Sequence, residues 1–229
     1  MVVVVLLAGA VIGGILYSNA QKNKTEGATI PVRAVSADYP VRRDGAVVVA
    51  GKDDAKTTLD FYEDFLCPFC RQFEENNAAA LDAKLADGSL RIRYHLVTIL
   101  NEQSDPPGYS LDAANAGLCA ADNARFPAYF ASLYAAQPAE GARGYDKSQL
   151  TDLGTRLGIT TPDFATCVST GRYNADIQSA EAQATALPYL QRDIQGRKTF
   201  STPTIALGER LIDTSTPNWL ATLPTPDQQ

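Results

Sequence analysis

The spacing of apolar residues changes several times along the chain, and each change predicts an element. Val2 to Tyr17 is a continuous apolar run, followed by polar Ser18-Asn19-Ala20-Gln21-Lys22. At 1.5 Å per residue, about 16 residues span roughly 24 Å, slightly short of the ~30 Å hydrocarbon core of a bilayer. Residues 1–20 therefore predict a transmembrane signal anchor or a cleaved signal peptide, Ser18 and Ala20 offering a small-x-small cleavage site. A buried element of the fold is the third reading. Gly9, Gly13 and Gly14 suit a membrane helix and favour the anchor. Gln21 to Gly45 is polar, contains Pro31 and Pro40 and has little periodicity, which predicts a linker over residues 21–45 with at most a short strand at Val32–Val35.

From Val47 the pattern is that of alternating strands and helices. Val47-Val48-Val49 predicts a short strand, Gly51-Lys52-Asp53-Asp54 a turn, and Thr57–Leu66 a buried strand without helical period. Pro68 then opens a helix that runs to about Asp87, with Phe73, Ala80, Leu81 and Leu85 on its inner face and Gly88 as its stop. Leu90 to Val97 alternates: Leu90, Ile92, Tyr94 and Leu96 share one face, Arg91, Arg93 and His95 the other. Ser110 to Leu187 predicts a block of short helices, broken near Phe126-Pro127, with a capping box at Asp146-Lys147-Ser148-Gln149. A hairpin follows over Ser201–Ile212, and Thr216-Pro217 should open a last helix.

Composition narrows the class of function. At 229 residues the chain is long enough for one domain, or one with an insertion, and its net charge of −6 argues against nucleic acid or an anionic membrane surface as partner. Four cysteines would fit two disulfides and, if both form, an oxidising compartment.

The chemistry concentrates in Phe61-Tyr62-Glu63-Asp64-Phe65-Leu66-Cys67-Pro68-Phe69-Cys70. Cys67 falls where a strand meets a helix N-terminus, among unpaired N–H groups and at the positive end of the helix dipole. Both favour a thiolate, and Cys70 lies within one turn, close enough for a disulfide. That is the layout of a dithiol redox centre. A zinc half-site would need a second closely spaced pair, whereas Cys119 and Cys167 are far apart and the chain has one histidine; no metal is expected. His95, on the polar side of its strand, reads as a surface or edge residue and gives no support to a cysteine hydrolase.

Strand, Cys-Pro-x-Cys, helix, strand, helical block, Thr202-Pro203-Thr204, hairpin and helix together resemble the DsbA-like thiol:disulfide oxidoreductases, over roughly Val47 to Leu223. The likeness is greatest to the membrane-anchored bacterial branch with a second disulfide. It implies an α/β thioredoxin fold over residues 46–229 with a helical insertion at about 104–196, no cofactor, and a cis bond before Pro203 that turns Thr202 toward the sulfurs. It also implies that Cys119 and Cys167 pair as a structural staple, although two buried free thiols are the alternative. Catalysis would rest on Cys67 and Cys70, with Pro68, Phe69, Thr202 and Pro203 beside them. A shallow groove of Phe65, Leu66, Phe69 and Thr202-Pro203 would hold unfolded exported proteins with free cysteines. Reoxidation would fall to a quinone-linked membrane partner. A monomer is the default.

Two departures matter. Phe69 stands where strongly oxidising members carry histidine, so a milder oxidant is expected. The buried acid that such strands often place six residues before the first cysteine is replaced by Phe61. Glu63 and Asp64, with Asp60, are the substitutes for proton handling, at least two of the three expected to be solvated. The rival functions are a disulfide reductase or isomerase and an exported peptide-binding holdase that does not use its dithiol.

Overall fold

The structure, a computed structural model, describes residues 21–35 and 38–223. The anchor or signal helix expected over residues 1–20 lies outside the described residues. Among the described residues no helix is long and apolar enough to cross a membrane.

Among the described residues, eight strands and six helices follow the expected alternation. The strands are β1 (Val41–Asp44), β2 (Val47–Ala50), β3 (Thr57–Glu63), β4 (Leu90–Leu96), β5 (Arg192–Ile194), β6 (Arg197–Thr199), β7 (Thr204–Leu207) and β8 (Arg210–Leu211). The helices are α1 (Pro68–Asp87), α2 (Tyr109–Ala121), α3 (Phe126–Ala135), α4 (Lys147–Arg156), α5 (Pro162–Thr170) and α6 (Asn174–Ala186). Six strands form one sheet in the order β1-β2-β4-β3-β7-β8, in which β3 and β4 are parallel and every other pairing is antiparallel. The parallel pair is joined through α1, as a parallel connection requires. Helices α2 to α6 are inserted between β4 and β7. This is a thioredoxin-fold α/β architecture interrupted by helices.

Local chemistry explains the main boundaries. Pro68 sits at the first position of α1, where its missing N–H is no loss, and Gly88 ends the helix at φ 83°, a conformation open to glycine. Cys70, Phe73, Glu74, Leu81 and Leu85 face inward, while Ala80, expected with them, is exposed. Phe73 meets Phe61 of β3 edge-on, and Phe61 meets Tyr94 of β4 in the same way. Phe126 and Phe130 of α3 cover Tyr94, so α1 and α3 close one face of the sheet. The opposite face carries a smaller cluster of Tyr62, Val97, Ala184, Leu190 and Ala206. Helix α2 passes close to the end of β4 at Gly117, where a Cβ would stand 3.0 Å from Leu96 Cδ1.

Several expectations need correction. The supposed linker is packed: Ile30 is fully buried, and Gln149 Nε2 donates to the carbonyls of Thr25 and Ala28 at 2.6 Å each. Arg33 N donates to Ser132 Oγ at 2.8 Å, and Val32–Val35 forms no strand. Strand β3 stops at Glu63, three residues early, because the Asp64 side chain takes over the backbone beyond it. The polar hairpin β5-β6 lacks apolar alternation and escapes a reading by periodicity. The last helix is reduced to a turn at Trp219–Ala221.

Candidate active site

Cys67 is the N-cap of α1, in extended conformation, and α1 presents its first N–H groups toward the sulfur. Both cysteines are reduced and buried, Cys67 3% and Cys70 0% exposed. Hydrogen bonding from the Cys70 thiol is the main cause that lowers Cys67 to about 6. Burial opposes it; the Thr202 side chain and the backbone N–H groups of Cys70 and Phe69 add to it. Burial, then the hydrogen bond to Cys67, pushes Cys70 well above a free thiol. The two sulfurs thus differ in kind: one ionises near neutrality and the other holds its proton.

The Thr202-Pro203 bond is cis, and the Thr202 carbonyl oxygen lies 3.4 Å from Cys67 Sγ. Of the expected groove, Phe69 is 68% exposed and Thr202 and Pro203 are half-buried. Phe65 and Leu66 are fully buried, a correction with a clear reason. Phe65 packs against Phe130 and Tyr134 of the insertion, so it supports the site from beneath.

The turn from Asp64 to Cys67 is held from the insertion. Asp64 accepts from Leu66 N (2.8 Å), Leu100 N (2.9 Å) and Ser110 Oγ of α2 (2.7 Å). Tyr134 Oη of α3 donates to the Asp64 carbonyl at 3.3 Å. Gln137 Nε2, two residues past α3, donates to the carbonyls of Phe65 (3.0 Å) and Cys67 (2.9 Å). Ser110, Tyr134 and Gln137 have no sequence signal, because nothing local ties them to residue 67.

The acids also depart from expectation. Glu63 and Asp64 are buried, and only Asp60 keeps some solvent contact, bonded to His95 Nε2 at 2.7 Å. His95 is accordingly neither free nor catalytic in position: it stacks on Tyr62. Burial raises Asp64 to about 6 against the pull of its three hydrogen bonds. Neither oxygen of Glu63 has a hydrogen-bond partner among the described residues. Burial first, then the neighbouring Glu74 carboxyl and the Cys67 sulfur, raise Glu63 well above the usual carboxylate range. Burial likewise raises Glu74, one turn beyond Cys70 on the inner face of α1. That four-residue spacing from Cys70 is the signal by which the sequence could have revealed Glu74.

Cys119 of α2 and Cys167 of α5 form a disulfide across 48 residues, with Cα atoms 6.0 Å apart. Among the described residues no cluster of three or more His, Cys, Asp or Glu could hold a metal ion.

Comparison with known proteins agrees with this geometry. Residues 43–223 match the family described as Thioredoxin. The reduced DsbA of Mycobacterium tuberculosis superposes with a TM-score of 0.63 at 26% identity, covering 77% of this chain and 89% of that one. The M. tuberculosis disulfide oxidoreductase DsbG gives 0.61 at 26% identity, over 75% and 82%. The thiol-disulfide oxidoreductase MdbA of Corynebacterium diphtheriae, at 20% identity, shares the fold with a TM-score of 0.66 over 82% and 94%. The serine/threonine-protein kinase PknE of M. tuberculosis is 31% identical over 197 residues, 83% of this chain but only 33% of the kinase, so the chain spans about a third of that protein. The chain belongs to the thioredoxin family, as a DsbA-like thiol–disulfide oxidoreductase within it.

Proposed function

We propose that the chain is an extracytoplasmic oxidant that introduces disulfides into exported proteins through Cys67 and Cys70. The observation that carries this reading is the asymmetry of the two sulfurs, about 6 for Cys67 against a strongly raised Cys70. A sulfur that is stable as a thiolate favours the reduced form of the pair, and a pair that favours reduction oxidises others.

The cycle starts from the Cys67–Cys70 disulfide. A thiolate on an unfolded exported chain attacks Cys67 Sγ, the bond to Cys70 breaks, and its electron pair leaves on Cys70. A second substrate thiolate attacks the substrate sulfur of the mixed disulfide and releases Cys67 as a thiolate. The substrate loses two electrons and the enzyme pair gains them. Glu63 handles the Cys70 proton; Asp64, engaged by three donors, holds the turn. Exposed Phe69 and half-buried Pro203 supply a small apolar contact beside the Thr202 backbone, which suits extended chains of varied sequence. A quinone-linked membrane protein reoxidises the pair. Residues 1–20 anchor the chain with its catalytic domain on the extracytoplasmic side, or release it if they are cleaved. Cys119–Cys167 takes no part in turnover.

Incubation of the oxidised chain with a reduced, unfolded two-cysteine protein tests the reading. Oxidation that disappears in Cys67→Ala supports it; reshuffling of a scrambled substrate indicates an isomerase, and binding indifferent to Cys67 a holdase. A potential near the roughly −270 mV of thioredoxin would replace the oxidant with a reductase.

A further inference from the structure

After α6 the chain leaves the main sheet and folds β5 and β6 into a two-stranded sheet of their own. The turn between them, Gln195-Gly196, has positive φ at both positions (52° and 81°), the form that matches the twist of a hairpin. Its legs are fixed: Gln191 Nε2 donates to the Thr185 carbonyl at 3.0 Å, Leu190 is fully buried, and Phe200 meets Tyr62 edge-on. Between the legs every residue from Asp193 to Thr199 is exposed. Thr199 stands three residues before Thr202, at most about 11 Å along the chain. The Thr202 carbonyl in turn is 3.4 Å from Cys67 Sγ, so the hairpin rises within reach of a chain bound at the sulfurs.

Its charge is out of keeping with the rest of the molecule. The chain carries a net charge of −6, and Arg43, Arg93, Arg156 and Arg172 each hold an aspartate at 2.6–3.3 Å. Among the described residues Arg192, Arg197 and Lys198 enter no ion pair. Arg192 lies near the charge of Asp213, yet its Nε has no hydrogen-bond partner. Asp193, the acid of the hairpin, has its Oδ1 taken by Gly196 N at 2.8 Å. Pairing sets Arg192 opposite Thr199 and Ile194 opposite Arg197, so these four share one face. That face is two arginines around an isoleucine 46% exposed, and Lys198 lies on the other side opposite Asp193. The outer edges of both strands have no partner strand among the described residues. Cations alone would guard such an edge against pairing, but an exposed isoleucine among them invites contact.

We propose that the β5–β6 hairpin is a docking arm for acidic stretches of an unfolded substrate, beside the cysteine that attacks Cys67. The proposal rests on the function above and adds a preference to it. A substrate held at Thr202 is extended and gains at most about 3.3–3.6 Å per residue, so its residues about three to five positions from the cysteine draw level with Thr199 to Arg197. Aspartate or glutamate there meets unpaired guanidinium and ammonium groups, and an apolar neighbour covers Ile194. Elsewhere the acidity of the chain itself repels such a segment. Exposed pairs of this kind act on the rate of encounter more than on the bound state, and they weaken with salt.

The test is the rate at which the oxidised full chain oxidises reduced two-cysteine peptides that lack tryptophan. Trp219, the sole tryptophan of the chain, packs on Phe73 of α1 and is the fluorescence reporter. One peptide carries glutamate at those positions on either side of its cysteines, and the second carries lysine at the same places. Wild type should react about tenfold faster with the glutamate peptide at low salt, and the ratio should shrink toward one at about 0.5 M NaCl. Arg197→Glu/Lys198→Glu should reverse the order, and Arg197→Gln/Lys198→Gln should erase it. The ratio is taken within each variant, so a general loss of activity cancels. Lys52→Glu/Lys56→Glu, an equal change of charge before the end of β3 away from Cys67, should keep the wild-type ratio. Equal rates in wild type, or a preference that survives both hairpin variants, overturn the docking arm. The same peptides with serine for cysteine, titrated by anisotropy, keep this apart from the function proposed above. A chain that oxidises neither peptide sinks that function, and the order of the two affinities still decides the hairpin.

Discussion

The two cysteine pairs of this molecule are made of the same atoms and live opposite lives. Cys119–Cys167 links two helices of the insertion, is closed, and is about 1% exposed at each sulfur-bearing residue. Cys67 and Cys70 are nearly as buried yet open. Burial therefore does not separate a structural pair from a reactive one. What separates them is the set of donors around one sulfur: the Cys70 thiol, the Thr202 side chain and two α1 N–H groups all stabilise Cys67 as an anion.

The comparison can be broken most severely by deleting each pair. Cys67→Ala should abolish exchange with unfolded dithiols. Cys119→Ala/Cys167→Ala should retain exchange but lose about 4 kcal/mol of stability in denaturant titration, the chain-entropy value for a 48-residue separation. Loss of exchange in the double variant would make the staple part of the site.

Acidification gives the next largest effect. In the reduced protein, thiolate absorbance should titrate with a midpoint of about 6. Because the folded value lies below that of a free thiol, Cys67 contributes stability fully above the unfolded value, and the contribution fades as pH falls through about 6. Against Cys67→Ala, the reduced wild type should lose roughly 3 kcal/mol of advantage between pH 9 and pH 5. No pH dependence in that difference would contradict the lowered value.

Gln137 stands between the two pairs, on the insertion but bonded to the redox turn. Gln137→Ala removes two hydrogen bonds and should cost about 2 kcal/mol, with the Cys67 titration moved. A loss of stability with an unmoved titration would mean that the turn holds its shape unaided. Phe69→His is the mildest probe. An imidazolium one residue from Pro68 should lower Cys67 by less than about one further unit and make the pair more oxidising. A potential unaffected by this change would remove the reason for expecting a mild oxidant.

What the sequence made legible follows from range. The β3–α1 junction is local: Pro68 begins the helix, Gly88 ends it, and Cys67 falls between strand and helix by position alone. The alternation of β4 was readable for the same reason, since every second residue is buried. The acids were not readable, because which face of a strand is covered depends on elements far away. Glu63 is sealed under α1 and α3, and Asp64 is engaged by Ser110, 46 residues on. Ser110, Tyr134 and Gln137 reach the site only through the fold of the insertion. The last helix had its start signals at Thr216 and Pro217. With Pro224 so near, too few residues remained to nucleate more than a turn.

The clamps on residues 64–67 bear on any attempt to move this chemistry elsewhere. Transplanting Cys-Pro-Phe-Cys onto a bare thioredoxin scaffold would carry the sulfurs but leave behind Ser110, Tyr134 and Gln137, which brace the loop from outside it. The reactive unit to transplant is therefore the tetrapeptide together with the helices that grip its approach.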